Sequence, residues 1–218
     1  EKTSWNRYPV KRQYYTGECV AQSTAKHLGI NNEKDTGQYV DLSPAFLYYF
    51  RVNKPSAGMV WLDAMKLATT IGACFKFRLN QRMRDSDPEV QPTEDMKKEA
   101  LDFKGKLFIE DKERTLESIA RIIENQGSCL IWFWFDVDGR EWWKVEPSIL
   151  YPNLGTYSSG ATRHALVATD YGIRNDKKVI KIEDSAGNSS AENEQDRFID
   201  ENFIKRCFVS GYVIDEPN

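Results

Sequence analysis

Several things are scarce in this sequence, and each scarcity removes a class of function. Histidine occurs twice, at positions 27 and 164, and the four cysteines, Cys19, Cys74, Cys129 and Cys207, stand far apart with no C-x-x-C pair. That is too few clustered ligands for a structural zinc, so no metal and no cofactor are expected. Charge of one sign is not in excess either: 30 basic and 33 acidic residues are well mixed, with a net charge of -3. No basic face for nucleic acid and no polybasic membrane anchor stands out. The longest apolar run, Cys129 to Phe135, is far too short to span a bilayer and suits a buried strand. Internal repeats and low-complexity segments are missing. The chain opens Glu1-Lys2-Thr3 with neither Met nor a signal-like apolar run, which predicts a processed product or an excised domain. Asn188-Ser189-Ser190 fits a glycosylation acceptor but weighs little without a secretory signal.

What is present is a chain able to bury a full core: 218 residues, 40% hydrophobic and 12% aromatic, which implies one domain over residues 1–218 or two closely joined subdomains. Residues 1–80 read as mainly helical. A helix begins at or just before Cys19, with Val20, Ala21, Thr24, Ala25 and Leu28 on one side, and Gly29-Ile30-Asn31-Asn32 is expected to end it. Ser43-Pro44 caps and opens a second, carrying Phe46, Leu47 and Phe50, and a third spans about Val60 to Ile71. Residues 80–100, charged and holding Pro88 and Pro92, read as a surface connection with a short helix near Met96 to Leu101. Residues 105–218 read as mainly β. They include a Thr115-capped helix ended by Gly127, a hairpin from Leu130 to Val145 turning at Asp136-Val137-Asp138-Gly139, and strands His164 to Thr169 and Val179 to Asp184.

The chemistry-bearing stretch is Gln13-Tyr14-Tyr15-Thr16-Gly17-Glu18-Cys19. It sets a thiol at a helix N-terminus, where unpaired backbone N–H groups and the helix dipole favour the thiolate. Taken alone, Cys19 reads equally well as a nucleophile or as a small core thiol. A nucleophilic cysteine needs an imidazole. His27 lies eight residues along the same helix, about 12 Å away, and cannot reach it. His164 remains. If the strands on either side of Asn175-Asp176 pair symmetrically about residue 174, His164 falls opposite Asp184 on the same face, with Cβ atoms roughly 5 Å apart. An imidazole beside an orienting carboxylate favours a functional histidine over a satisfied strand histidine.

These places together resemble the papain-like cysteine peptidases. Trp5-Asn6-Arg7 followed by Val10-Lys11-x-Gln13 looks like the start of a mature enzyme, and Gln13 precedes Cys19 by the family's six residues; Gly17 also matches. Leu42-Ser43 resembles the start of the next family helix, Gly58 with Trp61 its substrate-strand segment, His164-Ala165 its histidine strand, and Asp184-Ser185-x-Gly187 its Asn-Ser-Trp-Gly motif. Val20 stands where an aromatic residue usually follows the nucleophile, Asp184 replaces Asn, and Ala186 replaces Trp. Thr16 and Pro55 stand where the family often has a disulfide, and with Cys19 reserved for chemistry at most one disulfide remains, so a reducing, cytoplasmic-type compartment is expected.

The resemblance implies an α+β fold in which an N-terminal helical subdomain packs on a C-terminal antiparallel, barrel-like β subdomain with the cleft between them. It implies a Cys19–His164–Asp184 triad with Gln13 at the oxyanion, acting through an acyl-enzyme on peptide or isopeptide bonds. Gly58 would pair with an extended peptide or protein substrate, and Met59, Val60 and Ala165 would line an apolar pocket or simply fill the core. An N-terminal propeptide is a further implied partner; nucleic acid and membrane are not. The same triad would serve a transamidase, and a degenerate fold would serve as a peptide-binding module.

Overall fold

The computed structural model describes residues 1–2, 4–6, 8–9, 11–135, 162–186 and 196–215. The expected turn at 136–139, the second strand of its hairpin, Gly187 and the 188–190 tripeptide lie outside them. Two compact units emerge, Glu1–Val10 with Glu110–Val213, and Lys11–Ile109 with Ile214–Asn218.

The Lys11–Ile109 unit is built on α1 (Cys19–Thr36), against which α2 (Pro44–Tyr49) and α3 (Trp61–Thr70) pack. Every residue of α1 from Val20 to Asn31 is buried, so it is a central helix and not the one-sided amphipathic helix that its apolar spacing suggests. Several of its buried polar groups are bonded within the fold: Thr24 Oγ1 donates to the Val20 carbonyl at 2.7 Å and Gln22 Nε2 to the Arg12 carbonyl at 3.1 Å. The expected stop at Gly29 is not a stop. A Cβ there would come within 2.2 Å of the Val40 carbonyl oxygen, so glycine serves close approach in mid-helix. Gly37, left-handed at φ 78°, ends the helix by donating to the Glu33 carbonyl. Ser43 caps α2 through Phe46 N–H, with proline next, as the sequence predicts. Thr93 caps α4 (Glu94–Ala100) through Met96 N–H, and the charged connection folds around that short helix.

His27 is entirely buried in α1. Its Nε2 accepts the Ile214 N–H at 2.9 Å, while Asn31, one turn on, donates Nδ2 to the Ile214 carbonyl at 2.5 Å. One helical turn thus takes both backbone groups of a residue in the last strand. Burial pulls the His27 pKa down to about 3, so the ring is neutral and structural.

Among the described residues the strands are β1 (Leu107–Asp111), β2 (Cys129–Phe135), β3 (Thr162–Arg174), β4 (Lys177–Glu183), β5 (Asp196–Ile199) and β6 (Phe208–Asp215), in the sheet order β1-β6-β2-β3-β4-β5. Among the described residues the sheet is open, with β1 and β5 as edges, so the barrel-like description fits only loosely: closure would require those two strands to pair. The strands flanking β2, β3 and β4 pair antiparallel to them. Helix α5 (Leu116–Gln126) opens with a reciprocal Thr115–Ser118 capping box and ends at left-handed Gly127. It lays Ile119 and Ile123 on a core with Ile131, Phe133, Leu166 and Ile182, and Phe203 of α6 (Glu201–Cys207) meets Phe133 edge-on at 4.8 Å. Helix α6 has only a local signal, Asp200 accepting Phe203 N–H at 2.9 Å, and it stands within the part of the chain that reads as mainly β.

The opposite face of the sheet is also buried, and beside apolar residues such as Val167 and Val179 it carries a polar cluster. Lys181 is fully enclosed, with Nζ on Glu183 Oε1 at 2.8 Å and on the Asn6 carbonyl at 2.5 Å, and Thr169 Oγ1 donates to the same Glu183 oxygen at 3.2 Å. The N-terminal arm covers this face: Lys2 Nζ and Asn6 N–H reach the two oxygens of Asp170, and Trp5 packs edge-on against Phe198 at 4.9 Å. Each charge there is paired, which a buried charge requires.

Candidate active site

Cys19 is the first residue of α1 and is partly exposed, whereas Cys74, Cys129 and Cys207 are buried. Burial drives the Cys74 thiol up to about 12 and raises Cys129 and Cys207 as well, so those three stay protonated and inert. None of the four is joined in a disulfide. The loop before Cys19 is held by its own bonds: Thr16 N–H and hydroxyl both turn onto the Gln13 carbonyl, and Gln13 Nε2 donates to the Thr16 carbonyl at 3.0 Å. That last bond orients the Gln13 side-chain amide.

Glu18, between Gly17 and Cys19, points inward and is 1% exposed. Desolvation lifts its pKa to about 7 against the opposing pull of Arg82 and of the Gln22 hydrogen bond. Nothing in the sequence marks a surface-type residue beside a nucleophile as a buried acid.

His164 lies on β3 opposite Phe133 of β2, at the end of the face that carries Leu166 and Ala168 into the core. Its Nε2 is 2.7 Å from Asp184 Oδ1, and both side chains are almost completely buried. The same carboxylate oxygen accepts the Ala186 N–H at 2.9 Å, which fixes its position. An ionised carboxylate only accepts, so Nε2 carries the proton and Nδ1 holds the basic lone pair of the neutral ring. The pairing is reached by a different register from the symmetric one expected. Asn175 and Asp176, both at positive φ, make a two-residue turn, and the register shifts again between Ala168 and Asp170. Val167 then faces Glu183, which carries Asp184 on towards Leu166 and leaves it diagonal to His164. A shift by an even number of residues keeps both side chains on one face, within diagonal reach.

Gly58 is at φ 83°, where glycine is favoured, and both its backbone groups are engaged: its N–H donates to Tyr48 Oη at 2.9 Å, and its carbonyl accepts Asn53 Nδ2 at 3.1 Å. Met59 is buried, Val60 is half exposed, and Ala165, next to His164, has no exposed surface. Two residues that sequence reasoning passed over complete the surroundings of Gly58. Tyr48 Oη donates to Asp85 Oδ1 at 3.0 Å, and Asp85 Oδ2 accepts the Gly17 N–H at 2.9 Å.

A scan against protein-family models finds no match, and neither does a search of curated proteins. No helix among the described residues is long and apolar enough to cross a membrane. Solved structures do match. Xylellain, a cysteine protease from Xylella fastidiosa, aligns with a TM-score of 0.73 at 17% identity over 97% of this chain and 84% of its own. Digestive procathepsin L 3 of Tenebrio molitor larval midgut aligns at 0.76 with 13% identity, over 97% of this chain and 67% of its own. The procathepsin L2 proteinase from the same midgut aligns at 0.73 with 15% identity, over 96% of this chain and 64% of its own. The chain therefore has the papain-like cysteine protease fold.

Proposed function

We propose that this chain is a cysteine peptidase with Cys19 as nucleophile, His164 as its general base and acid, and Asp184 as the group that orients the imidazole. The observation that carries the reading is the buried 2.7 Å contact between His164 Nε2 and Asp184 Oδ1, in a chain of this fold that begins its central helix with a partly exposed cysteine.

In the proposed cycle His164 Nδ1 takes the Cys19 proton, and the thiolate attacks the peptide carbonyl. The C–S bond forms and the carbonyl electrons move to oxygen, where Cys19 N–H and one Gln13 Nε2 hydrogen stabilise the charge; such donors are each worth about 3 kcal/mol of barrier. As the C–N bond breaks, His164 gives its proton to the leaving amine. Water, deprotonated by His164, then attacks the thioester carbon; the C–S bond breaks as the C–O bond is made, the acid leaves, and His164 returns its proton to the Cys19 thiolate. The Asp184 charge favours imidazolium in each charged step. An extended peptide or isopeptide is the proposed substrate. Of the three residues proposed for the substrate pocket, Val60 is exposed, whereas Met59 and Ala165 are buried. An inhibitory N-terminal propeptide and a reducing compartment belong to the same proposal.

A peptidyl epoxide tests it. Labelling of Cys19 in the wild type, loss of labelling in His164→Ala, and release of free carboxylic acid from a peptide substrate are the expected results. Equal labelling of wild type and His164→Ala refutes the dyad. An amide product formed only with added amine turns the reading to acyl transfer, and peptide binding without turnover turns it to a binding module.

A further inference from the structure

The carboxylate of Asp85 serves two backbone segments at once. Oδ2 accepts the N–H of Gly17, two residues before Cys19, and Oδ1 accepts the hydroxyl of Tyr48, whose oxygen in turn accepts the N–H of Gly58. The two glycines touch: a Cβ on Gly17 would stand 2.4 Å from the Gly58 nitrogen. The relay is itself held. Arg51 lies over the Tyr48 ring at 3.8 Å and donates Nη1 to the Tyr48 carbonyl at 2.8 Å. Arg82 donates Nη1 to the Asp85 carbonyl at 2.9 Å and brings Nη2 to Oδ1 at 3.4 Å. The Tyr15 N–H donates to the Met83 carbonyl at 3.0 Å, so the 83–85 segment runs beside the loop that leads into Cys19.

We propose that Asp85 and Tyr48 are positioning residues that clamp the nucleophile loop against the Gly58 segment. Asp85 sets the Thr16–Gly17 peptide plane, and therefore the direction in which the chain delivers Cys19 and its N–H. Tyr48 commits the Gly58 N–H to the protein, so that a bound peptide meets the Gly58 segment through other groups. The clamp rests on the peptidase reading only for its catalytic consequence; the hydrogen bonds themselves do not depend on it.

The test separates the two. With ¹⁵N-glycine labelling, the 13 glycine amides can be followed individually by exchange. Asp85→Ala is expected to speed exchange of Gly17 and Gly58 by about tenfold or more, and Tyr48→Phe that of Gly58, with Gly29 in α1 unchanged. In peptide cleavage, Asp85→Ala is expected to lower kcat about tenfold with little change in KM, the signature of a lost transition-state contact. Asp85→Asn, which still offers oxygen to Gly17 and N–H to Tyr48 Oη, recovers most of that loss. A role in stability alone would speed exchange at all glycines together and leave kcat per folded molecule intact. Unchanged Gly17 and Gly58 exchange in Asp85→Ala overturns the clamp, as does faster exchange with undiminished kcat. Selective exchange in a wild type that is inert to peptide and epoxide upholds the clamp and removes the peptidase reading.

Discussion

Replacing His27 by Gln should change how stability responds to acid far more than it changes stability at neutral pH. The ring is fully buried, its Nε2 accepts the Ile214 N–H at 2.9 Å, and its pKa falls from 6.5 to about 3. Gln offers a carbonyl oxygen to the same N–H. In the folded protein His27 resists a proton, whereas in the unfolded chain it takes one below its ordinary pKa, so folding loses free energy as pH falls below 6.5. A displacement of about 3.5 units corresponds to about 5 kcal/mol when complete, and linkage places about 3 kcal/mol of it at pH 4. Urea denaturation followed by the fluorescence of the six tryptophans, at pH 7, 5.5 and 4, measures the gap between wild type and variant. The gap should move by about 3 kcal/mol in favour of the variant between pH 7 and pH 4. A gap that stays constant would show that His27 is not held neutral by burial.

Glu18 has the opposite sign. Its folded pKa is raised from 4.5 to about 7, so its contribution is intact below pH 4.5 and is lost as pH rises towards 7, about 3 kcal/mol in all. Glu18→Gln should therefore be more stable than wild type at pH 8 and similar at pH 4.5, measured in the same denaturation series. Asp184→Ala removes a charged acceptor from His164 and from the Ala186 N–H, and should reduce kcat/KM about ten- to a hundredfold in a peptide assay. Gly29→Ala, although it raises helix propensity, should lower the denaturation midpoint, because the new methyl meets the Val40 carbonyl at 2.2 Å; overpacking of that kind costs about 1–3 kcal/mol.

What could be read from the sequence was what depends on near neighbours. Ser43 with Pro44, Thr115 with Ser118, and Gly127 are local caps, and they act in the fold through bonds three or four residues away. The face shared by His164 and Asp184 came out as alternation predicts because the turn and the irregularity at Thr169 together displace the register by an even number of residues. The register was not legible, because it depends on a two-residue turn and a second shift at Thr169 that no composition announces. Gly29 misled for a related reason: as a stop signal it is local, but its cause is the Val40 backbone passing overhead. Asp85 was hidden altogether. It sits in a charged run that resembles any solvated connection, and its meaning comes from Gly17, 68 residues away. Glu18 and Lys181 were likewise invisible as buried charges, since burial of a charge is decided by partners brought in from elsewhere.

The contact between Gly17 and Gly58 has a stereochemical consequence. The two glycines are required for unlike reasons: Gly17 for lack of room, and Gly58 for handedness, since its φ of 83° suits the mirror-image residue while a side chain there would meet nothing within 4 Å. A D-alanine placed at 58 by chemical synthesis would favour the φ this backbone already adopts and narrow the unfolded ensemble, whereas at 17 an alanine side chain would meet the Gly58 nitrogen at 2.4 Å. Two identical residues in contact thus answer to different constraints, one to chirality and one to volume.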